Sequence, residues 1–288
     1  MLKLQTYLSL KAKHLRHRTR EAVFSWLAPG ALGVVVNTDF GPMICDPRDG
    51  HVSRQLIKRG HYNPGEIALY RNAVIGLESG LIVGGHIGSI ALQLVDCFEN
   101  MVCVEANPKT YALLRNNIQL QGYADKVRCL NIAATDRPGC VSFLCNTENS
   151  GGSKIRPVNM DAAFIYDRPY TVTVEGVRLD DVFDLHCCDF VLMDIEGSEF
   201  GAIRGAVELL KGSSVLMVEF VPKHIKQVAG VTIDEFASVL LSLGFDRVEF
   251  PCFGVSGHPN DVLREALHAI SDAEQFEDGI IFTRDRTT

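Results

Sequence analysis

Leu81-Ile82-Val83-Gly84-Gly85-His86-Ile87-Gly88 is the stretch on which the fold turns. Three consecutive apolar residues run into a glycine-rich turn, and Ile90 to Phe98 beyond it carries apolar side chains at helical spacing. A short, wholly apolar run marks a strand buried on both faces, which is how parallel sheets read. The unit then repeats: Met101 to Glu105 reads as a second strand, Pro108 to Gln121 as a helix closed by Gly122, and Val127 to Ala133 as a third strand. Alternation of this kind implies an α/β fold with a doubly wound, mostly parallel sheet.

Downstream, Phe190 to Asp194 and Val215 to Phe220 are further buried strands, with a helix through Leu210 between them and another over Ile233 to Leu243. Arg247 to Phe250 and Gly279 to Phe282 supply terminal strands, and the sheet is expected to end in an antiparallel one. Between Cys140 and Val177 the rhythm breaks. A polar loop, Asn149-Ser150-Gly151-Gly152, and an alternating run from Tyr170 to Val177 predict an inserted hairpin or lid around 140–178. Upstream, Asn63-Pro64-Gly65 turns into a helix carrying Ile67, Leu69, Tyr70, Val74 and Ile75, and Gly33 to Cys45 reads as a capping hairpin around Asn37-Thr38-Asp39. The expected division is residues 1–54 as a basic helix and cap, and 55–288 as the main domain.

Composition sets the outer limits. A chain of 288 residues is near the upper size for one hydrophobic core, so a single main domain with terminal additions is expected. No apolar run approaches the roughly 20 residues that span a bilayer. A net charge of −7 argues against a nucleic-acid partner and for a small-molecule or glycan one. Nine scattered cysteines without a Cys-x-x-Cys pair, and no cleavable signal, read as reduced thiols in the cytoplasm, with Cys187 and Cys188 packing beside a strand. The first twenty residues carry Lys3, Lys11, Lys13, Arg16, Arg18 and Arg20 without an acid, with apolar residues up to Trp26 loosely at helical spacing. Such a segment suits an anionic membrane surface, a partner, another subunit or the domain itself.

In a doubly wound sheet, ligands collect at the carboxyl ends of the strands. Three strand ends carry chemistry. At Gly84, Gly85 and Gly88 backbone amides can approach a ligand. Glu105 follows about twenty residues later, where a carboxylate suits ribose hydroxyls. The glycine spacing falls short of the dinucleotide fingerprint, so a nucleoside without a pyrophosphate fits better than NAD. Asp194, Glu196 and Glu199 crowd the third strand end, where a carboxylate could take the proton of a substrate hydroxyl. No histidine spacing there supports a metal, and His224, shortly after Glu219, is expected to be exposed or structural.

The order of these motifs resembles the FkbM-family methyltransferases over roughly Ile57 to Phe220. The matching stretches are Gly84 to Gly88, Val104-Glu105-Ala106-Asn107-Pro108 with Leu114 to Asn117, Ser150-Gly151-Gly152-Ser153, Leu179-Asp180-Asp181, Asp194-Ile195-Glu196-Gly197-Ser198-Glu199 through Gly205-Ala206, and Val218-Glu219. The resemblance implies a class I, Rossmann-like methyltransferase sheet and S-adenosylmethionine as cofactor. It implies that Gly84, Gly85, His86 and Gly88 line the cofactor site with Ala106 and Asn107, that Glu105 holds the ribose, and that Ala134 approaches the adenine. It also implies that Asp194 and Glu196 face the transferred methyl group or the acceptor hydroxyl, on a sugar, glycan or secondary metabolite. The family's first motif usually reads Asp-x-Gly-Ala-Asn-x-Gly, whereas this chain has Ile82 at the Asp position and His86 at the Asn position. The missing acid normally orients the methionine end, so either another group replaces it or binding weakens. Two other readings follow from the residues: a binding or scaffold protein on a degenerate cofactor fold, and an NAD-dependent oxidoreductase, for which no Tyr-x-x-x-Lys pair is evident.

Overall fold

The computed structural model describes Thr19 and residues 22–24, 26–182 and 188–285. Most of the basic N-terminal segment and Cys187 therefore lie outside the described residues. The hairpin β1 (Val34–Thr38) and β2 (Gly41–Cys45) turns at Thr38 and Gly41 and leads into α1 (Val52–Arg59) and α2 (Pro64–Ala73). The core then runs β3 (Ser79–Val83), α3 (Ala91–Leu94), β4 (Asn100–Val104), α4 (Pro108–Leu120) and β5 (Val127–Leu130). A second sheet takes β6 (Ala133–Ala134), β7 (Gly139–Cys145), β8 (Lys154–Ile155) and β9 (Tyr170–Val177). The chain returns through β10 (Phe190–Met193), α5 (Glu199–Arg204), α6 (Val207–Gly212) and β11 (Val215–Phe220). It ends with α7 (Pro222–His224), α8 (Ile233–Leu241), β12 (Arg247–Phe250), β13 (Val255–Gly257), α9 (Pro259–Asp272) and β14 (Glu277–Thr283).

The main sheet has the order β13-β12-β14-β11-β10-β3-β4-β5. Strands β11, β10, β3, β4 and β5 are parallel, and β14, β12 and β13 join antiparallel. This is the doubly wound sheet expected, with three antiparallel strands at its end instead of one. Two apolar layers cover its faces. Leu56, Ile67, Tyr70, Leu114 and Ile118 pack on one side, and Ile203, Leu210, Phe236, Leu263 and Leu267 on the other. From β3 the chain steps outward to β4 and β5, then returns to the opposite side of β3 with β10. The sheet order reverses between those two strands, and a crevice opens at their carboxyl ends.

Three local readings change. The run from Val127 to Ala133 is not one strand: Asn131 breaks it by donating from Nδ2 to the carbonyls of Glu105 and Ala106, and β6 leaves to pair with β9. The hairpin of β7 and β9 belongs to a four-stranded sheet with order β6-β9-β7-β8. The helix through Leu210 is two helices, because Asp180 accepts from the amides of Glu208 and Leu209 and starts α6 afresh. A methyl group on Gly205, between them, would overlap the Thr135 carbonyl. The Leu179-Asp180-Asp181 and Gly205-Ala206 motifs thus meet, through a bond from the Asp180 amide to the Gly205 carbonyl.

Candidate functional site

A cavity of about 260 Å³ lies at the mouth of β3, β4 and β10, lined by Gly84, His86, Glu105, Ala134, Asp194 and Glu196 among others. Residues from five separate parts of the chain close it: the turn after β3, the loop after β4, the loop after β10, the second sheet, and the α1–α2 region.

The glycine turn is shaped by its neighbours. Gly84 has φ 102°, and a methyl group there would overlap the Asp194 carbonyl, so only glycine lets β3 and β10 approach this closely. The amides of Gly84 and Gly85 both donate to the Val104 carbonyl, which fixes the turn onto β4. Glu105 then organises the next level. Its Oε2 accepts from the His86 amide at 2.8 Å, and its Oε1 accepts from the Asn107 amide and Thr110 Oγ1 at 2.8 and 2.9 Å. An ionised carboxylate offers about four acceptor positions, so roughly one remains for a ligand hydroxyl. Two of the expected cofactor residues stand behind the lining. Gly88 packs toward Leu114 and Leu92, and Asn107 is buried as the N-cap of α4, its Oδ1 accepting from Lys109 N.

His86 links the turn to the rest of the cavity. Its Nε2 lies 2.8 Å from Ser150 Oγ, and Ser150 donates that hydroxyl, and its amide, to Asp49 Oδ1. Since the single Ser150 proton goes to Asp49, His86 serves as the donor through Nε2–H. Burial holds its imidazole below the usual histidine range, which suits that neutral tautomer.

The opposite end is acidic. Glu196 Oε2 lies 3.2 Å from Lys154 Nζ and 3.3 Å from His224 Nδ1. Lys154 is buried, with its ammonium 5.1 Å from the Phe164 ring centre. His224 is only 18% exposed, and burial with the nearby Lys154 charge pushes its pKa down to about 4. Its place is therefore against Glu196, not in solvent. Burial first, and then the charges of Glu196, Glu66, Glu199 and Asp278, push Asp194 well above the ordinary carboxylate range. Glu219 is raised by burial and by Asp194, Glu196 and Glu199. Glu199 has a different task. It is fully buried, accepts from the Ile195 amide at 2.9 Å, and ties the loop after β10 to the first turn of α5.

Strain gathers here as well. Asn63, His86 and Glu196 line the cavity with φ values of 43°, 49° and 58°, in the left-handed region that costs non-glycine residues roughly 1–3 kcal/mol. Such backbone persists where surrounding contacts over-determine it, as the Glu105, Ser150 and Lys154 bonds do.

The structure thus brings Gly84, Gly85, His86, Glu105, Ala106, Ala134, Asp194 and Glu196 around one space. Sequence reading missed Asp49, Tyr62, Glu66 and Lys154. The first three come from the N-terminal region, where no motif marks them, while Lys154 directly follows Ser150-Gly151-Gly152-Ser153, whose lead could have been extended by one residue. Ligand atoms of Glu196, Glu219 and His224 lie within 4.8 Å of one another, a grouping able to hold a cation. The Lys154 ammonium already stands on Glu196 and would repel one.

Whether the pocket suits S-adenosylmethionine can be judged on its own chemistry. The main chain of Gly84 and Gly85, the Glu105 carboxylate and the small Ala106 and Ala134 fit an adenosine, and the carboxylates fit a cationic sulfonium and ammonium. A model of the "Methyltransferase FkbM domain" matches residues 83–247. No curated protein matches the chain. Among solved structures, PH0793 of Pyrococcus horikoshii is 12% identical, with 93% of this chain and 83% of that one covered and a TM-score of 0.45. Geranyl diphosphate C-methyltransferase from Streptomyces coelicolor A3(2) is 10% identical, with 81% of each chain covered and a TM-score of 0.44. An O-methyltransferase from Bacillus cereus is 13% identical, with 77% and 80% covered and a TM-score of 0.36. With the family model laid over more than half of its length, and over the strand ends that open the cavity, the chain belongs to the FkbM-domain methyltransferases, which draw their methyl group from S-adenosylmethionine.

Proposed function

We propose that the chain methylates a hydroxyl oxygen of an uncharged, polyhydroxylated acceptor, such as a sugar, glycan or secondary metabolite. The observation that carries this reading is the pairing of Asp194 with Glu196 at the cavity end where β10 meets the glycine turn. The cavity lining among the described residues contains carboxylates, Tyr62, His51, Asn63, Asn149 and several serines, but no lysine or arginine. That lining repels phosphate and offers hydrogen bonds to hydroxyls.

Bound here, S-adenosylmethionine supplies a methyl group on a sulfonium whose departure leaves a neutral thioether. The protein's part is alignment and proton handling, and alignment alone lowers a barrier by several kcal/mol, up to about 7–11 in favourable cases. Asp194, with its raised pKa, is in its ionised form a stronger base than an ordinary carboxylate, and accepts the hydroxyl proton. Glu196, fixed by the Lys154 ammonium, orients the acceptor oxygen. The basic N-terminal segment is a candidate contact for an anionic membrane surface or a partner, and a second copy of the chain is one such partner.

The test is incubation with methyl-labelled S-adenosylmethionine and a panel of glycans and hydroxylated metabolites, followed by identification of the methylated atom. A methyl ether that disappears in Asp194→Asn supports the reading. Transfer to nitrogen or carbon, or an undiminished rate in that variant, overturns it.

A further inference from the structure

Ile82 and Leu192 face each other across the β3–β10 register, and both are buried in the same apolar layer as Tyr70. The strand side of the cavity therefore offers no carboxylate before Gly84. The cofactor nevertheless carries an α-ammonium at its methionine end, which binds best to a carboxylate desolvated enough to make the pair strong. Six acids line the cavity: Glu66, Glu105, Asp194, Glu196, Glu219 and Asp278. Glu105 is held by three donors, Glu196 by the Lys154 ammonium, and Asp278 is exposed at the rim. Asp194 and Glu219 crowd the acceptor end.

Glu66 is differently placed. It sits in the first turn of α2, half-buried, and lies outside the stretch matched by the family model. Its Oε2 accepts from Asn63 Nδ2 at 2.6 Å and its Oε1 accepts from Tyr70 Oη. Asn63, the N-cap of that helix, adopts the left-handed conformation noted above, so the backbone is bent at the residue that orients Glu66. Both donors are neutral and leave the negative charge uncompensated, in a cavity that Glu66 shares with Gly84 and Asp194.

We propose that Glu66, supplied by the N-terminal α2 helix and set by Asn63 and Tyr70, anchors the α-ammonium of the methionine end of the cofactor, the task that Ile82 cannot perform. This deepens the cofactor reading and rests on it. Glu66 then acts as a specificity residue for the amino-acid part of the ligand and leaves the adenosine part untouched.

The experiment is calorimetric titration of the full chain and of Glu66→Gln with two probes. One is S-adenosylhomocysteine, and the other is 5′-methylthioadenosine, which keeps the adenosine and sulfur but lacks the amino acid. A charge-assisted bond is worth roughly 1.5–3 kcal/mol, so the variant is expected to bind S-adenosylhomocysteine about ten- to a hundredfold more weakly. Its affinity for 5′-methylthioadenosine should stay within about twofold. Equal loss for both probes, or no loss for either, overturns the proposal while leaving the cofactor site standing. No binding of S-adenosylhomocysteine to the unaltered chain overturns both. Should Glu66→Gln fail to fold, Glu66→Asp keeps the charge one methylene short, and the same selective loss, smaller in size, is the expected result; a parallel loss for the two probes contradicts the anchor.

Discussion

His86 Nε2 and Ser150 Oγ stand 2.8 Å apart, which ties the turn after β3 to the loop of the second sheet and, through Ser150, to Asp49 of the N-terminal region. Residues far apart in sequence thus close one cavity, and the glycine turn is not an independent module. Ser150→Ala removes both hydroxyl bonds while leaving the amide bond to Asp49. A net loss of about 1 kcal/mol per bond, about 2 for the pair, corresponds to roughly thirtyfold in cofactor affinity where the closed loop is the binding form. Titration with S-adenosylhomocysteine checks this, and unchanged affinity would show that the latch is structural only.

Glu105 ties the turn after β3 to the start of α4, and the ribose role expected of it can be tested beside that structural one. Glu105→Ala leaves the His86 and Asn107 amides without their acceptor, while the Thr110 hydroxyl keeps the Asn107 carbonyl. Unsatisfied buried donors cost about 1–3 kcal/mol each, less whatever water replaces, so a loss of about 2–4 kcal/mol is expected in denaturant unfolding. Glu105→Gln keeps one acceptor oxygen and should lose less stability. Both variants should bind S-adenosylhomocysteine at least tenfold more weakly, and retention of full affinity would remove the ribose role.

The acids after β10 make stability fall as pH rises. Glu199 has its pKa lifted from 4.5 to about 7, chiefly by burial. Between those values the folded form holds a proton that the unfolded form has released, so stability is fully present below about pH 4.5 and is lost as pH climbs through about 7. Asp194 and Glu219 shift in the same direction. The melting temperature of the ligand-free protein should therefore drop between about pH 5 and 7.5. Glu199→Gln should flatten that drop, and an identical slope in the variant would show that Glu199 does not carry it.

Close approach of β3 and β10 makes Gly84 intolerant of any side chain. Gly84→Ala places a methyl group into the Asp194 carbonyl and strains a φ of 102°, so a loss above about 3 kcal/mol or failure to fold is expected. Gly65, in the first turn of α2, has no atom within 4 Å of an added Cβ, so Gly65→Ala should stay within about 0.5 kcal/mol of the unaltered protein. Thermal unfolding of the pair separates steric crowding from a general effect of replacing glycine.

What could be read in the sequence followed from periodicity and from strand ends. Leu81 to Val83 and Phe190 to Met193 are wholly apolar because both faces of the sheet are covered, and the parallel order places Gly84, Glu105 and Asp194 on one edge. Helix α9 carries the same kind of signal, with Leu263, Leu267 and Ile270 buried at helical spacing. What no pattern encodes is contact across the chain. Lys154 meets Glu196 across forty-two positions, and Asp49 meets Ser150 across a hundred and one. Both pairs depend on how the second sheet and the N-terminal region fold over the crevice. For His224 the sequence left exposed and structural places both open, because a lone histidine after a strand gives no sign of the carboxylate it will meet.

The central claim, that the cavity between β3 and β10 is the cofactor site despite Ile82, is tested most directly by calorimetric titration of the full chain with S-adenosylhomocysteine, with NAD as the control. Binding at micromolar concentration with one ligand per chain, and none of NAD, is the expected result. Absence of S-adenosylhomocysteine binding would contradict the assignment and leave the acid-lined cavity to another ligand.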